Sequence, residues 1–91
     1  MTRDIKQNLE LHRFEWAEDD ALSVLEYRLD GNTFTITHTE VPQALSGRGI
    51  ASDLVKHALN TARSRGWKVR IECSYAATYV KRHPEYQDLI A

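Results

Sequence analysis

Two glycines stand where a strand-like run gives way to a helical one, in Ser46-Gly47-Arg48-Gly49-Ile50-Ala51. A glycine-rich turn at such a junction exposes main-chain N–H groups at a helix N-terminus, where orphan donors and the helix dipole both favour an anion, above all a phosphate. Glycine also lets a ligand approach the backbone, having no Cβ. Spacing alone leaves two readings open, a phosphate cradle and a plain corner, because a short G-x-G says little by itself. The loop is neither a Walker loop, since no Gly-Lys-Ser/Thr follows, nor G-x-G-x-x-G, whose third glycine is missing. Cys73 ends an alternating run and is either a nucleophile or a small apolar core residue. His38 and Glu40 fall on one face of the strand that enters the turn, either as a proton acceptor or as the polar margin of a sheet. His12, His57, His83 and Cys73 have no metal-ligand spacing, so no metal site is expected.

Strands and helices must position these groups. Leu9 to Trp16 and Leu22 to Leu29 alternate as strands, and Asp30-Gly31-Asn32 reads as a hairpin turn. The returning strand, Thr33 to Val41, places Phe34, Ile36, His38 and Glu40 on one face and four threonines on the other. Residues 9–41 thus read as a three-stranded antiparallel meander, stopped by Pro42. Ala51, Leu54, Val55, Ala58, Leu59 and Ala62 then form one helical stripe, closed by Gly66. His57 falls on the charged side of that helix. Trp67, Val69, Ile71 and Cys73 share one face of a further strand. Ser74 is expected to cap a second helix to about Arg82, broken at His83-Pro84, with Glu85 to Ile90 adding a final helical turn or two. The order β-β-β-α-β-α makes an α+β fold.

Ninety-one residues give room for one domain, spanning 1–91. A net charge of −1, from 12 basic and 13 acidic residues, argues against a general nucleic-acid binder. The lone cysteine excludes an internal disulfide and a thiolate-rich zinc site. No apolar run approaches the roughly 20 residues that span a bilayer, and the N-terminus lacks the apolar stretch of a signal peptide. A cytoplasmic location is therefore expected.

Following a strand and opening an amphipathic helix, Ser46-Gly47-Arg48-Gly49-Ile50-Ala51 resembles the pyrophosphate loop Q/R-x-x-G-x-G/A of the GNAT N-acetyltransferases. The stretch from Cys73 to Tyr86, a cysteine, a short helix and His-Pro-Glu-Tyr, resembles the compact, single-domain YjdJ-type branch of that family. The resemblance covers about residue 9 to the C-terminus. Ser46 stands where the loop has Gln or Arg, which removes one side chain and keeps the amide donors. The chain also lacks the helices that full-length members insert after their first strand, which build the acceptor pocket.

The resemblance implies a minimal GNAT-like fold and an acetyl-CoA-dependent acyltransferase that moves an acetyl group to an amine. It implies a cofactor-binding loop of Gly47, Arg48, Gly49, Ile50, Ala51 and Ser52, in which N–H groups of Gly47, Gly49 and Ala51, with the Ser52 hydroxyl nearby, hold the pyrophosphate. Val41 would offer backbone groups to the pantetheine arm, Cys73 would lie near the acetyl group, and Tyr79 would protonate the departing thiolate. Acetyl transfer also needs a base, for which His38 and Glu40 are the candidates, an imidazole being suited by its titration near neutral pH. No basic residue adjoins Cys73 in sequence, which favours direct transfer over an acetyl-cysteine intermediate. The expected partners are acetyl-CoA and an amine, small molecule or peptide, with no nucleic acid or membrane and with the chain a monomer. The acidic run Glu18-Asp19-Asp20 is compatible with a cationic amine. The alternatives are a non-catalytic acyl-CoA-binding or sensing module and a cofactor-free interaction domain.

Overall fold

Apolar alternation builds a sheet and an apolar stripe builds a helix over it, in a computed structural model that describes residues 3–91. Strands β1 (Lys6–Asn8), β2 (Arg13–Glu18), β3 (Ala21–Asp30) and β4 (Thr33–Glu40) form an antiparallel meander. Helix α1 (Ile50–Arg65) returns the chain so that β5 (Lys68–Ile71) pairs parallel with β4, giving the order β1-β2-β3-β4-β5. Helix α2 (Ser74–Arg82) and a 3-10 stretch, Pro84–Leu89, complete the expected α+β arrangement.

The α1 stripe buries Ile50, Leu54, Val55, Ala58, Leu59 and Ala62. They pack into one cluster with Phe14, Leu25, Tyr27, Phe34, Ile36 and Val69 of the sheet. Full burial of such a large side chain contributes about 1.5–3 kcal/mol. Gly66 stops α1 in the left-handed conformation at φ 72°, its N–H returning to the Ala62 and Arg63 carbonyls. Helix α2 adds Ala76, Tyr79 and Val80 to the same cluster. The opposite sheet face is polar, with ion pairs Arg13–Glu15 at 2.5 Å and Arg28–Glu72 at 3.0 Å. The C-terminal tail is fastened at several points. Tyr86 is buried and donates to Asn60 at 3.0 Å, Arg63 holds Asp88 and the Glu85 carbonyl, and Ile90 bridges Val69.

Four expectations about the strands and the helix cap are corrected. The strand expected from Leu9 begins at Arg13, because residues 9–12 form a turn in which His12 takes φ 52° and Leu9 and Leu11 face solvent. An edge strand, β1, precedes that turn, so the meander has four strands. The strict alternation of β4 is broken by a bulge. Tyr27 faces Ile36 but Glu26 faces His38, so Thr37 is one residue too many. The bulge carries Thr39, opposite Leu25, onto the helix-covered face with Phe34 and Ile36, and moves His38 and Glu40 to the polar face. Ser74 is the first residue of α2 rather than its cap; Cys73 holds the cap position, and its side chain makes no capping hydrogen bond to the helix.

His57 is half-buried rather than solvated, its ring edge-on to Phe14 with centroids 5.2 Å apart. Burial holds its imidazole below the ordinary histidine value, with Asp4 pulling the other way. The unfolded chain therefore binds a proton that the folded chain releases, so stability rises with pH across that interval. Stability is expected to fall as pH drops below about 6.5, the unfolded value, and His57→Gln should flatten that fall. Unfolding midpoints measured against pH check this; an equal slope in the variant would remove His57 as the source.

Candidate active site

A fork in the sheet creates the site. The β4–β5 register ends at Ile36 opposite Ile71, where the Glu72 N–H donates to the Ile36 carbonyl at 2.9 Å. Beyond it β4 continues to Glu40 while the other branch turns into α2. The bulge lies at this point, its extra Thr37 donating through its hydroxyl to the Glu26 carbonyl at 3.1 Å. Asn32 and Ile36 direct their carbonyls to β5, and the extra residue shifts that phase by one. The main-chain groups of Thr39 and Val41 are therefore the ones directed to the side that β5 has left.

Past Pro42 a 3-10 turn, Gln43–Leu45, buries Leu45, and the Ser46 N–H donates to the Gln43 carbonyl at 3.0 Å. Gly47 and Gly49 then take φ of 80° and 77°, in the left-handed region that other residues enter only with strain. Gly49 caps α1, and its carbonyl takes the Asp53 N–H at 3.1 Å. By helix geometry the amides of Ile50, Ala51 and Ser52 have no partner within the helix, and its dipole adds positive potential there. Val41, Leu45, Ser46, Gly47, Gly49, Ile50, Ala51 and Tyr75 line a cleft of about 310 Å³ at this point. A Cβ built on Gly47 or Gly49 meets no atom within 4 Å, so both glycines open onto free space. Apolar walls at one end and amide donors at the other fit an acyl arm joined to a diphosphate.

The expected site residues are distributed unevenly. Val41, Gly47, Gly49, Ile50 and Ala51 line the cleft together. Ser52 lies one position further along the first turn of α1. Tyr79 is buried and stacks on His83 with centroids 4.1 Å apart; burial, with Tyr86 nearby, pushes its phenol above the ordinary tyrosine value. Cys73 sits at the fork, packed against the core, with its Sγ 3.6 Å from the Thr39 hydroxyl. His38 and Glu40 pair with each other at 3.3 Å and are 54% and 69% exposed. Arg48 is not on the cleft wall: its guanidinium binds Glu18 and Asp19 at the β2–β3 turn. That pairing engages two of the three acidic residues read as compatible with a cationic amine. Tyr75, 44% exposed on the cleft, was not singled out by sequence reasoning. It lies four residues before Tyr79, so helical spacing was the signal that puts both on one face of α2.

The family model for GCN5-related N-acetyl-transferase matches residues 13–89. Protein NATD1 of Xenopus tropicalis is 38% identical over 72 residues, covering 79% of this chain and 65% of that protein. Protein NATD1 of Danio rerio is 35% identical over 80 residues, 86% of this chain and 72% of that one. For Protein NATD1 of Homo sapiens the identity is 38% over 72 residues, with 79% and 63% covered. The chain thus spans less than two-thirds of the length of the frog and human relatives. A Staphylococcus aureus protein solved by NMR and described as GCN5-like matches this fold with a TM-score of 0.77 and 31% identity, over 99% of this chain and 89% of that chain.

Proposed function

The chain belongs to the GCN5-related N-acetyltransferase family, and from that premise we propose that it moves an acetyl group from acetyl-CoA to an amine by direct transfer, with both substrates bound at once. The observation that carries this reading is the cleft at the fork, with a helix N-terminus at one end and Val41 at the other. Amides of Ile50, Ala51 and Ser52, with the open backbone at Gly47 and Gly49, hold the diphosphate. Leu45, Ile50 and Tyr75 line the arm, and the main-chain groups of Thr39 and Val41 receive its amides and the thioester carbonyl. The amine loses a proton, its nitrogen bonds to the carbonyl carbon, the C–S bond breaks and the thiolate takes up a proton. The His38–Glu40 pair, on the polar sheet face beside the fork, is the proton acceptor. Tyr79, whose phenol burial keeps protonated, supplies the thiolate's proton.

The Thr39 hydroxyl, 3.6 Å from the Cys73 Sγ, is neither a base nor a cation, which supports direct transfer over a covalent route. Cys73→Ala is therefore expected to keep measurable turnover across a panel of amines, and intact-protein mass spectrometry should find no acetyl adduct on the wild type. An adduct discharged by amine, together with a dead alanine variant, would overturn direct transfer. A second reading, a coenzyme-binding module without turnover, is favoured by the charged sheet face that stands open beside the fork. Coenzyme binding with no acetylated product from any amine would select it.

A further inference from the structure

Arg48 lies inside the glycine loop, yet its ion-pair partners among the described residues lie at the β2–β3 turn. Its guanidinium pairs with Glu18 and, at 2.8 Å, with Asp19. Its carbonyl accepts a hydrogen bond of 2.6 Å from Arg3. The same Arg3 guanidinium pairs with Asp53 in the first turn of α1 and lies 5.9 Å above the Trp16 ring. Trp16 completes the ring of contacts, its indole N–H donating to Glu18 at 2.8 Å.

We propose that Arg48 and Arg3 are positioning residues. They fasten the glycine loop and the first turn of α1 to the β2–β3 turn, so that the loop amides face the cleft before a coenzyme arrives, and neither guanidinium binds its phosphates. The inference rests on the coenzyme reading above and explains how a loop so rich in freedom can be ready to bind. Two glycines at positive φ leave the segment 46–49 little stiffness of its own. Order must come from outside, and these contacts reach it from two directions.

The geometry of the turn that receives Arg48 presents both acids to it. Asp19 and Asp20 take φ of 53° and 60° in succession, a left-handed pair that aspartate tolerates and that matches the twist of a tight hairpin. The pair brings the Asp19 carboxylate to Arg48, while the Trp16 indole aims that of Glu18. Hydrogen bonds from Trp16 and then Arg48 hold the Glu18 carboxyl below its ordinary range, so the pairing persists at neutral pH. An arginine meant for phosphates would be poorly placed between two carboxylates that compete with them.

The two roles predict opposite signs for one variant. If Arg48 were a phosphate ligand held back by its acids, Glu18→Gln/Asp19→Asn would release it and remove two negative charges, and coenzyme A would bind more tightly. If Arg48 positions the loop, the same change loosens the loop and binding weakens. We expect weakening of about tenfold, as when the competent conformation is populated a tenth of the time. Arg48→Gln should match it, and Arg48→Lys should recover part. The KM for acetyl-CoA should rise with kcat at saturation unchanged. Hydrogen exchange of the coenzyme-free protein should show faster exchange at residues 47–51 and unchanged protection in β2–β4. Tighter or unaltered binding in the double variant, or unaltered loop exchange, would overturn the proposal. If the wild type binds no coenzyme A, the function proposed above fails, and the exchange measurement decides this inference alone.

Discussion

Gly49→Val is expected to weaken coenzyme A binding by about a hundredfold or more while the chain still folds. At φ 77° a β-branched residue is strained, by about 1–3 kcal/mol. The fold itself presents no obstacle, since an added Cβ meets nothing within 4 Å. The same open space lies where a diphosphate would approach the first amides of α1. Bulk there displaces charge-assisted hydrogen bonds of about 1.5–3 kcal/mol each, and each 1.4 kcal/mol is about tenfold in affinity. Gly49→Asn separates the two effects, because asparagine tolerates the left-handed conformation and still carries a Cβ. It should unfold close to the wild type and bind coenzyme A poorly. Calorimetric titration beside thermal unfolding is the measurement, and a folded variant with wild-type affinity would sink the diphosphate site.

The parts legible in the sequence were those whose signal is local. The α1 stripe and its glycine stop follow from helical periodicity and one conformational requirement, and both stand where the sequence put them. The glycine turn was legible as a turn, because a strand-to-helix junction calls for a positive φ, which Gly47 and Gly49 both adopt. Strand β1 was hidden: Lys6-Gln7-Asn8 has no apolar alternation, and it is held by pairing with β2, where backbone hydrogen bonds leave no mark on residue type. The partners of Arg48 were hidden by distance. Glu18 is thirty positions away, and adjacency to the glycines pointed instead to phosphates. The bulge was hidden by the threonines, which suit either sheet face, so the run Thr33–Thr39 is as compatible with a regular strand as with a broken one.

That bulge makes the second large effect. Deleting Thr37 should leave a folded protein whose acetyl transfer is slower by about a hundredfold. Without Thr37, His38 follows Ile36 directly, and the pairs Glu26–His38, Leu25–Thr39 and Val24–Glu40 continue from Tyr27–Ile36 as an unbroken ladder. Every side chain keeps its face, so no charge enters the core and little stability is lost. The lost feature is the bend, since a bulge kinks its strand and sharpens the local twist. A straight β4 carries Thr39 and Val41 to a different height at the fork, and displacement of the reacting groups by about 1 Å can cost a hundredfold in rate. Thr37→Ala is the control. It keeps the residue count and removes the 3.1 Å bond to the Glu26 carbonyl, costing about 0.5–1.5 kcal/mol, and should retain most of the activity. Unfolding midpoints and initial rates on both variants decide the matter. A deletion variant that transfers acetyl at the wild-type rate would show that the bend does not position the thioester, and one that fails to fold would show that the ladder cannot close without Thr37.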